Sequence, residues 1–463
     1  MSKDSTDGKD MRIFDYLNVS NEVSIWADSG FHVQRNVINE ILKKRNDYHF
    51  YLTLPPSQIS KVNFHSHLVT LLPYDYTGGA GNKYHFDTKQ LWKLMDMRKK
   101  DWDFLISNEV LLGNHFLNLF CYRSHFDIPI VNYIHWVNPN QYQKMDMWNC
   151  IYNCTKTYCN SEYGKKLALN GVDAIFNEDA SERIKDNLRV LHVGFNDKEL
   201  LEQKTKSKFD VPTLVFNHRI SQYTGYEKLI KMCQKLYKEN VKFKLIFTNP
   251  ATPMARGSLR KYPFIEVKEK PMNYQDYIKL LWKSDICFGL HTGENQWSIA
   301  FLEALFCGNI PITTNDIFFK EMLGEDTFEL DDLRYVIENI DDLPSPKYPL
   351  SRFYWRNLVD DYIEMYESVS AEHEDGMEKL LNSDKSKVFK DLEMIIKERG
   401  VINKHNLGIV RGRRSGAGVG CQTPFSKYRK ALLEVADDMI EKEESFYKIK
   451  DPKYLKNSLE GWL

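Results

Sequence analysis

The run Ser284-Asp-Ile-Cys-Phe-Gly-Leu-His-Thr-Gly-Glu-Asn-Gln-Trp-Ser-Ile-Ala-Phe-Leu-Glu-Ala-Leu-Phe-Cys-Gly-Asn-Ile-Pro-Ile-Thr-Thr-Asn315 decides the fold. Its apolar stretch Ile286 to Leu290 is short, continuous and bounded by polar residues, which predicts a buried strand. A polar loop, His291 to Gln296, follows. Ile299, Leu302, Leu305 and Phe306 then recur at helical spacing, and Gly308 closes the helix. Pro311 and Ile312 open the next apolar strand. Strand, loop, helix and strand in that order form the repeating unit of a parallel sheet. Ligands of such sheets sit at the carboxyl ends of the strands, and anions sit at helix N-termini. Thr292 to Ser298 occupies that position, with Glu303 further along the same helix.

The same grammar recurs through the chain. Strands are expected at Val23–Ala27, His49–Thr53, Leu68–Leu72, Phe104–Ile106, Ile128–Ile134 and Thr155–Ser161, where Ser161 caps a helix. The loop Asp28 to His32 precedes an amphipathic helix from Val33 to Lys44. Further strands are expected at Thr213–Phe216, Lys244–Phe247 and Phe264–Lys268. At 463 residues, with 42% hydrophobic residues, the chain has room for two or three ordinary domains. Lys and Arg (63) balance Asp and Glu (64), so a nucleic-acid contact requires a local basic patch. The eight cysteines lack paired spacing, which fits reduced thiols in a cytoplasmic protein. No apolar run approaches the roughly eighteen residues of a membrane span.

The central stretch resembles the donor-binding signature of retaining GT-B glycosyltransferases of the glycogen-synthase and sucrose-synthase type, S-x-x-E-G-F-G-L-x-x-L-E-A-x-A-C-G-x-P. Here it stands as Thr292-Gly-Glu-Asn295-Gln-Trp-Ser298-Ile-Ala-Phe-Leu-Glu303-Ala-Leu-Phe-Cys-Gly308-Asn-Ile-Pro311. The second half follows the pattern. In the first half Asn295 takes the register of the first glutamate, and Glu294 lies one place earlier. The resemblance implies an α/β fold of two Rossmann-like domains facing a cleft, with a nucleotide sugar, most simply a UDP-sugar, as co-substrate and no metal requirement. It implies that Glu303 binds the donor ribose and that backbone N–H groups at Trp297 and Ser298 face the sugar or diphosphate. His291, Glu294, Asn295 and Gln296 line the same loop.

Other positions follow from the same resemblance. Asn217-His-Arg219-Ile-Ser-Gln-Tyr-Thr-Gly225 is similar to the family loop G-R-x-x-x-x-K-G, whose arginine and lysine neutralise the departing nucleoside diphosphate. Arg219 matches the arginine; Thr224 stands where the lysine would be. Gly30, after the first expected strand, faces the donor phosphate or acceptor. His135, at the carboxyl end of Ile128–Ile134, hydrogen-bonds the sugar or an acceptor hydroxyl. Asp101-Trp-Asp103 has the D-x-D spacing by which GT-A transferases hold a metal, but it directly precedes an apolar strand. Cys150, Cys154 and Cys159 lack the second pair that a zinc site needs.

Domain limits are expected at 1–20 (disordered), 21–205 (acceptor domain), 206–350 (nucleotide-sugar domain), 351–370 (crossover helix) and 371–463 (helical extension). The extension carries Arg411, Arg413, Arg414, Lys427, Arg429 and Lys430 between 410 and 430 without an acidic residue, a pattern suited to phosphate backbones. The aromatic, glycine-rich loop 73–87, with Tyr74, Tyr76 and Lys83, and the cleft-side Trp136, suits stacking on a base or sugar. Related bacteriophage folds glycosylate hydroxymethylated pyrimidines, so DNA is one acceptor the resemblance implies. A glycan or small-molecule acceptor, and an inactive fold that only binds nucleic acid, stay open at this point.

Overall fold

The computed structural model describes residues 11–17, 19, 25, 29–64, 66–75, 88–95, 102–108, 128–137, 141–249, 257–268, 272–291, 297–314, 317–324, 327–343, 347–383, 401–403, 440–443 and 446–449. Seven parallel strands form the first sheet: β1 (Met11–Tyr16), β2 (Tyr48–Leu54), β3 (Val69–Pro73), β4 (Phe104–Ser107), β5 (Ile130–Ile134), β6 (Lys156–Cys159) and β7 (Leu188–Val190). Their order in space is β3-β2-β1-β4-β5-β6-β7. The chain therefore winds one way from β1 and then returns to wind the other way from β4, which leaves a crevice at the carboxyl ends of β1 and β4.

The second sheet repeats this plan with five parallel strands: β8 (Thr213–Phe216), β9 (Lys244–Phe247), β10 (Ile265–Val267), β11 (Ile286–Gly289) and β12 (Ile310–Thr313). Their order is β10-β9-β8-β11-β12, so its crevice lies between β8 and β11. β8, β11 and β12 are buried along their whole length, as expected of strands with helices on both faces.

Helix α1 (Ser29–Lys44) follows β1. Helix α2 (Glu162–Leu169) starts at Ser161, whose hydroxyl accepts from the Gly164 N–H at 2.9 Å. In the second domain α3 (Tyr226–Lys238) follows β8, α4 (Tyr274–Lys283) precedes β11, α5 (Ile299–Phe306) lies between β11 and β12, and α6 (Ile317–Leu323) follows β12. The long α7 (Trp355–Ser383) lies against the first sheet. Its Tyr366 is fully buried among the rings of Tyr48, Phe50 and Phe104, and its Asp360 and Glu367 pair with Lys44 and Arg45.

Three expectations are corrected. The first described strand is Met11–Tyr16, inside the stretch read as disordered, while the expected Val23–Ala27, apart from Ile25, lies outside the described residues. It pairs with β2 and β4 at the centre of the sheet. Gly30 lies in the first turn of α1, which begins at Ser29, and not in a loop. The extension, expected to be mostly helical, also contains an antiparallel sheet of β13 (Val401–Asn403), β14 (Ile440–Glu443) and β15 (Phe446–Ile449) in the order β13-β15-β14.

Candidate active site

The crevice of the second sheet is built by two loops. Asn217, His218 and Arg219 leave β8; Leu290 and His291 leave β11. Gly225 lets them meet: its φ is +73°, and a Cβ there would lie 2.3 Å from the Leu290 carbonyl oxygen. Arg219 is exposed, and among the described residues its guanidinium has no hydrogen-bond or ion-pair partner. Beside it, Asn217 Oδ1, Ser221 Oγ and His291 Nδ1 are buried without hydrogen-bond partners among the described residues. Unpaired polar atoms are costly in a dry site, so three at one sheet edge mark a place built to meet a polar ligand.

Both histidines of this crevice are held neutral. Burial pushes His218 down to about 4, while its Nε2 meets the Phe288 carbonyl at 2.6 Å. Burial and then the neighbouring His218 hold His291 well below its ordinary value, with the two rings 4.3 Å apart. Arg219 thus carries the positive charge that these two loops offer.

Glu303, on α5, is 7% exposed. Tyr274 and Tyr277 of α4 each donate to one of its carboxylate oxygens at 2.9 Å. Asn217 Nδ2 donates to the Tyr277 hydroxyl at 3.1 Å and to the Ala300 carbonyl at 2.6 Å, which ties the β8 loop to this carboxylate. Burial raises Glu303 to about 7 against these hydrogen bonds. The tyrosines were not identified as site residues in the sequence; aromatic residues at i and i+3 of a helix facing a buried acid were the available signal.

In the first domain, Asp15 is the penultimate residue of β1, Asn108 follows β4 and His135 follows β5, three adjacent strands. Asn108 Nδ2 donates to Asp15 Oδ1 at 2.8 Å, and His135 Nε2 lies 2.9 Å from Asn108 Oδ1. Gln34 of α1 also donates to Asp15. Burial raises Asp15 to about 7 and lowers His135 to about 4. Trp136, 48% exposed, reaches towards the second domain, its ring 6.4 Å from that of Tyr223 in the Arg219 loop. The aromatic line continues from Tyr223 to His291 at 6.3 Å.

Several expected site residues also make contacts within the fold. The Thr224 hydroxyl donates to the Arg219 and Ser221 carbonyls, at 2.9 and 2.7 Å, so it shapes the loop from within. The Trp297 side chain is buried between domains: its Nε1 donates to the Val193 carbonyl at 2.8 Å and its ring stacks on His192 at 5.0 Å. Ser298 caps α5, accepting from the Phe301 N–H at 3.2 Å. Tyr74 is 1% exposed and packs edge-on against Tyr16, so its ring is core and not a stacking platform. Asp103 accepts from the Arg12 backbone N–H at 2.9 Å, a strand-end contact. Among the described residues no cluster of His, Cys, Asp and Glu could hold a metal ion, and no helix is long and apolar enough to cross a membrane. Glu294, Asn295, Gln296, Tyr76, Lys83, Arg411, Arg413, Arg414 and Lys427 lie outside the described residues.

Two doubly wound parallel sheets, each with its crevice at the strand carboxyl ends, define the α/β architecture of the GT-B fold. No protein-family model and no curated protein sequence matches the chain. Solved structures do. HepE from Anabaena, determined with UDP and glucose, is 13% identical, with a TM-score of 0.54 over 77% of this chain and 100% of its own. A glycosyltransferase from Rickettsia africae is 13% identical, with a TM-score of 0.55 over 78% and 98%. An α,α-trehalose-phosphate synthase (UDP-forming) from Burkholderia vietnamiensis is 8% identical, with a TM-score of 0.56 over 78% and 99%.

Proposed function

We propose that the chain is a glycosyltransferase that moves a sugar from a nucleotide sugar, most simply a UDP-sugar, to a hydroxyl acceptor. One observation carries this reading. An exposed arginine and a buried carboxylate stand at the crevice of the second sheet, linked through Asn217, as the two ends of a nucleoside diphosphate require. Arg219, with its planar fork, neutralises the charge that builds on the diphosphate as the glycosidic bond breaks. Glu303, already aligned by Tyr274 and Tyr277, accepts hydrogen bonds from the ribose hydroxyls. The unpaired Asn217, Ser221 and His291 atoms fit further polar groups of the donor. That HepE was solved with UDP and glucose, and that the Burkholderia enzyme is UDP-forming, agree with a uridine nucleotide.

Across the cleft His135 meets a sugar or acceptor hydroxyl, and Trp136 offers an apolar ring face. Arginine supplies the phosphate charge, so the reading requires no metal. It takes the reaction as retaining, by same-face attack with a donor phosphate oxygen accepting the acceptor proton. The acceptor is read as a hydroxymethylated pyrimidine in DNA from the basic sequence between 410 and 430, with a glycan acceptor as the alternative.

The test is a panel of nucleotide sugars against hydroxymethylated duplex DNA, plain DNA and simple sugars, with Arg219→Ala and Glu303→Ala as controls. Sugar transfer lost in both controls supports the reading and names donor and acceptor. Donor hydrolysis without DNA labelling moves the acceptor to a glycan. A chain that binds DNA but turns over no donor is an inactive fold, and the proposal falls.

A further inference from the structure

Asp15 is a buried acid with no direct part in the proposed reaction. It is 0% exposed, one residue before the end of β1, which is flanked by β2 and β4. A carboxyl group there is costly unless its hydrogen bonds serve a purpose, because an apolar residue would fill the same space without desolvation. Its bonds run in one direction. Gln34 and Asn108 donate to it. Asn108 Nδ2 also donates to the Tyr16 carbonyl at 3.2 Å, so the amide nitrogen faces two acceptors and the amide oxygen is turned to His135. An amide oxygen can only accept. Nε2 of His135 must therefore carry the hydrogen, and in the neutral ring the lone pair is on Nδ1. Asn160 Nδ2 donates to the His135 carbonyl at 2.8 Å and fixes the backbone of the same residue.

We infer that Asp15 and Asn108 are positioning residues that hold His135 in its Nε2–H form, so that Nδ1 accepts a hydrogen bond from a hydroxyl of the sugar or acceptor in the cleft. The identity of that hydroxyl rests on the glycosyltransferase reading; the tautomer does not. A side chain left to choose between tautomers would present a lone pair only part of the time, and an N–H for the remainder. Fixing it removes that loss before substrate arrives.

The test is made on the full chain labelled with 15N-histidine. Two-bond 1H–15N correlations report the tautomer of each of the 13 histidines, and His135→Gln assigns the signal. Wild-type protein at neutral pH is expected to show His135 purely as Nε2–H. Asn108→Ala, and separately the isosteric Asp15→Asn, should give averaged nitrogen shifts while the protein stays folded. In sugar transfer both variants should lower kcat about tenfold or more, with the donor KM within about twofold, and should cause no further loss in a His135→Ala background. An Nδ1–H or averaged His135 in the wild type overturns the inference. So do folded variants whose tautomer is unchanged, or an averaged tautomer with full kcat. If the tautomer is as expected and no donor is turned over, the glycosyltransferase reading fails and the positioning relay stands.

Discussion

Glu303 is an acid whose ordinary charge state and whose burial oppose each other. Its pKa, raised to about 7, exceeds the unfolded value of 4.5. Protonation is then favoured by folding, so its stabilising contribution is complete below about 4.5 and is lost as pH rises through 7. Glu303→Gln should accordingly melt higher than wild type at pH 8, with the difference vanishing near pH 5; melting curves at the two pH values decide it. The same variant should bind UDP about tenfold to hundredfold more weakly, the worth of hydrogen bonds to an ionised group. Equal affinity by calorimetry would remove Glu303 from the donor site. Arg219→Ala should separate function from stability more cleanly. The exposed side chain has no partner among the described residues, so its loss should move stability by less than about 0.5 kcal/mol. Turnover should fall on the order of a hundredfold to a thousandfold. Both residues could be singled out as candidates because each sits in a local pattern of strand, loop and helix. Tyr274 and Tyr277 were not, since they reach Glu303 from 29 and 26 residues away. Asp15, Asn108 and His135 meet only because three strands align.

At the scale of elements, the alternation of strand and helix made most of both sheets readable. Ser161 and Ser298 announced their helices by capping chemistry. β1 escaped because Met11-Arg-Ile-Phe-Asp-Tyr16 carries an arginine and an aspartate directly after a polar run, although Asp15 is polar for the sake of its partners and not of solvent. Thr224, in the register of the lysine of the resembled loop, gave no such local cue. The fold instead spends Thr224 on its own loop, which Gly225 brings against β11. Gly225→Ala would force a side chain into left-handed backbone and into the Leu290 carbonyl. It should cost about 2 kcal/mol or more, seen in the denaturation midpoint. It should also weaken UDP binding by displacing Arg219 and His291 together. A fully stable variant with unchanged affinity would show that the two loops are not coupled.

At the scale of the molecule, the two sheets are joined by contacts that begin beside the N-terminus of α5. Trp297, beside the α5 cap, donates to Val193 and stacks on His192, and Tyr362 of α7 donates to the His192 carbonyl at 3.1 Å. Glu321 of α6 makes the complementary link. Its carboxylate accepts from the backbone N–H groups of Glu162, at 2.9 and 3.0 Å, and of Tyr163, at 3.4 Å. One domain thus caps a helix of the other: the first N–H groups of α2 have no partner within their own helix, and an anion there is favoured by the helix dipole. Glu321→Ala leaves those groups unmet and releases the second domain at the same point. The expected cost is about 1 to 2 kcal/mol, the range of a lost N-terminal cap, read from the unfolding midpoint. Because the contact spans the cleft, its loss should also raise donor KM and lower kcat together, as changes at a domain joint do. Small-angle scattering should report a larger radius of gyration than wild type. Glu321→Gln, which keeps an acceptor oxygen, should recover part of each effect. A Glu321→Ala protein that is less stable yet kinetically unchanged would confine the residue to holding α2. Loss in both measurements would make the cap a hinge contact on which assembly of the site depends.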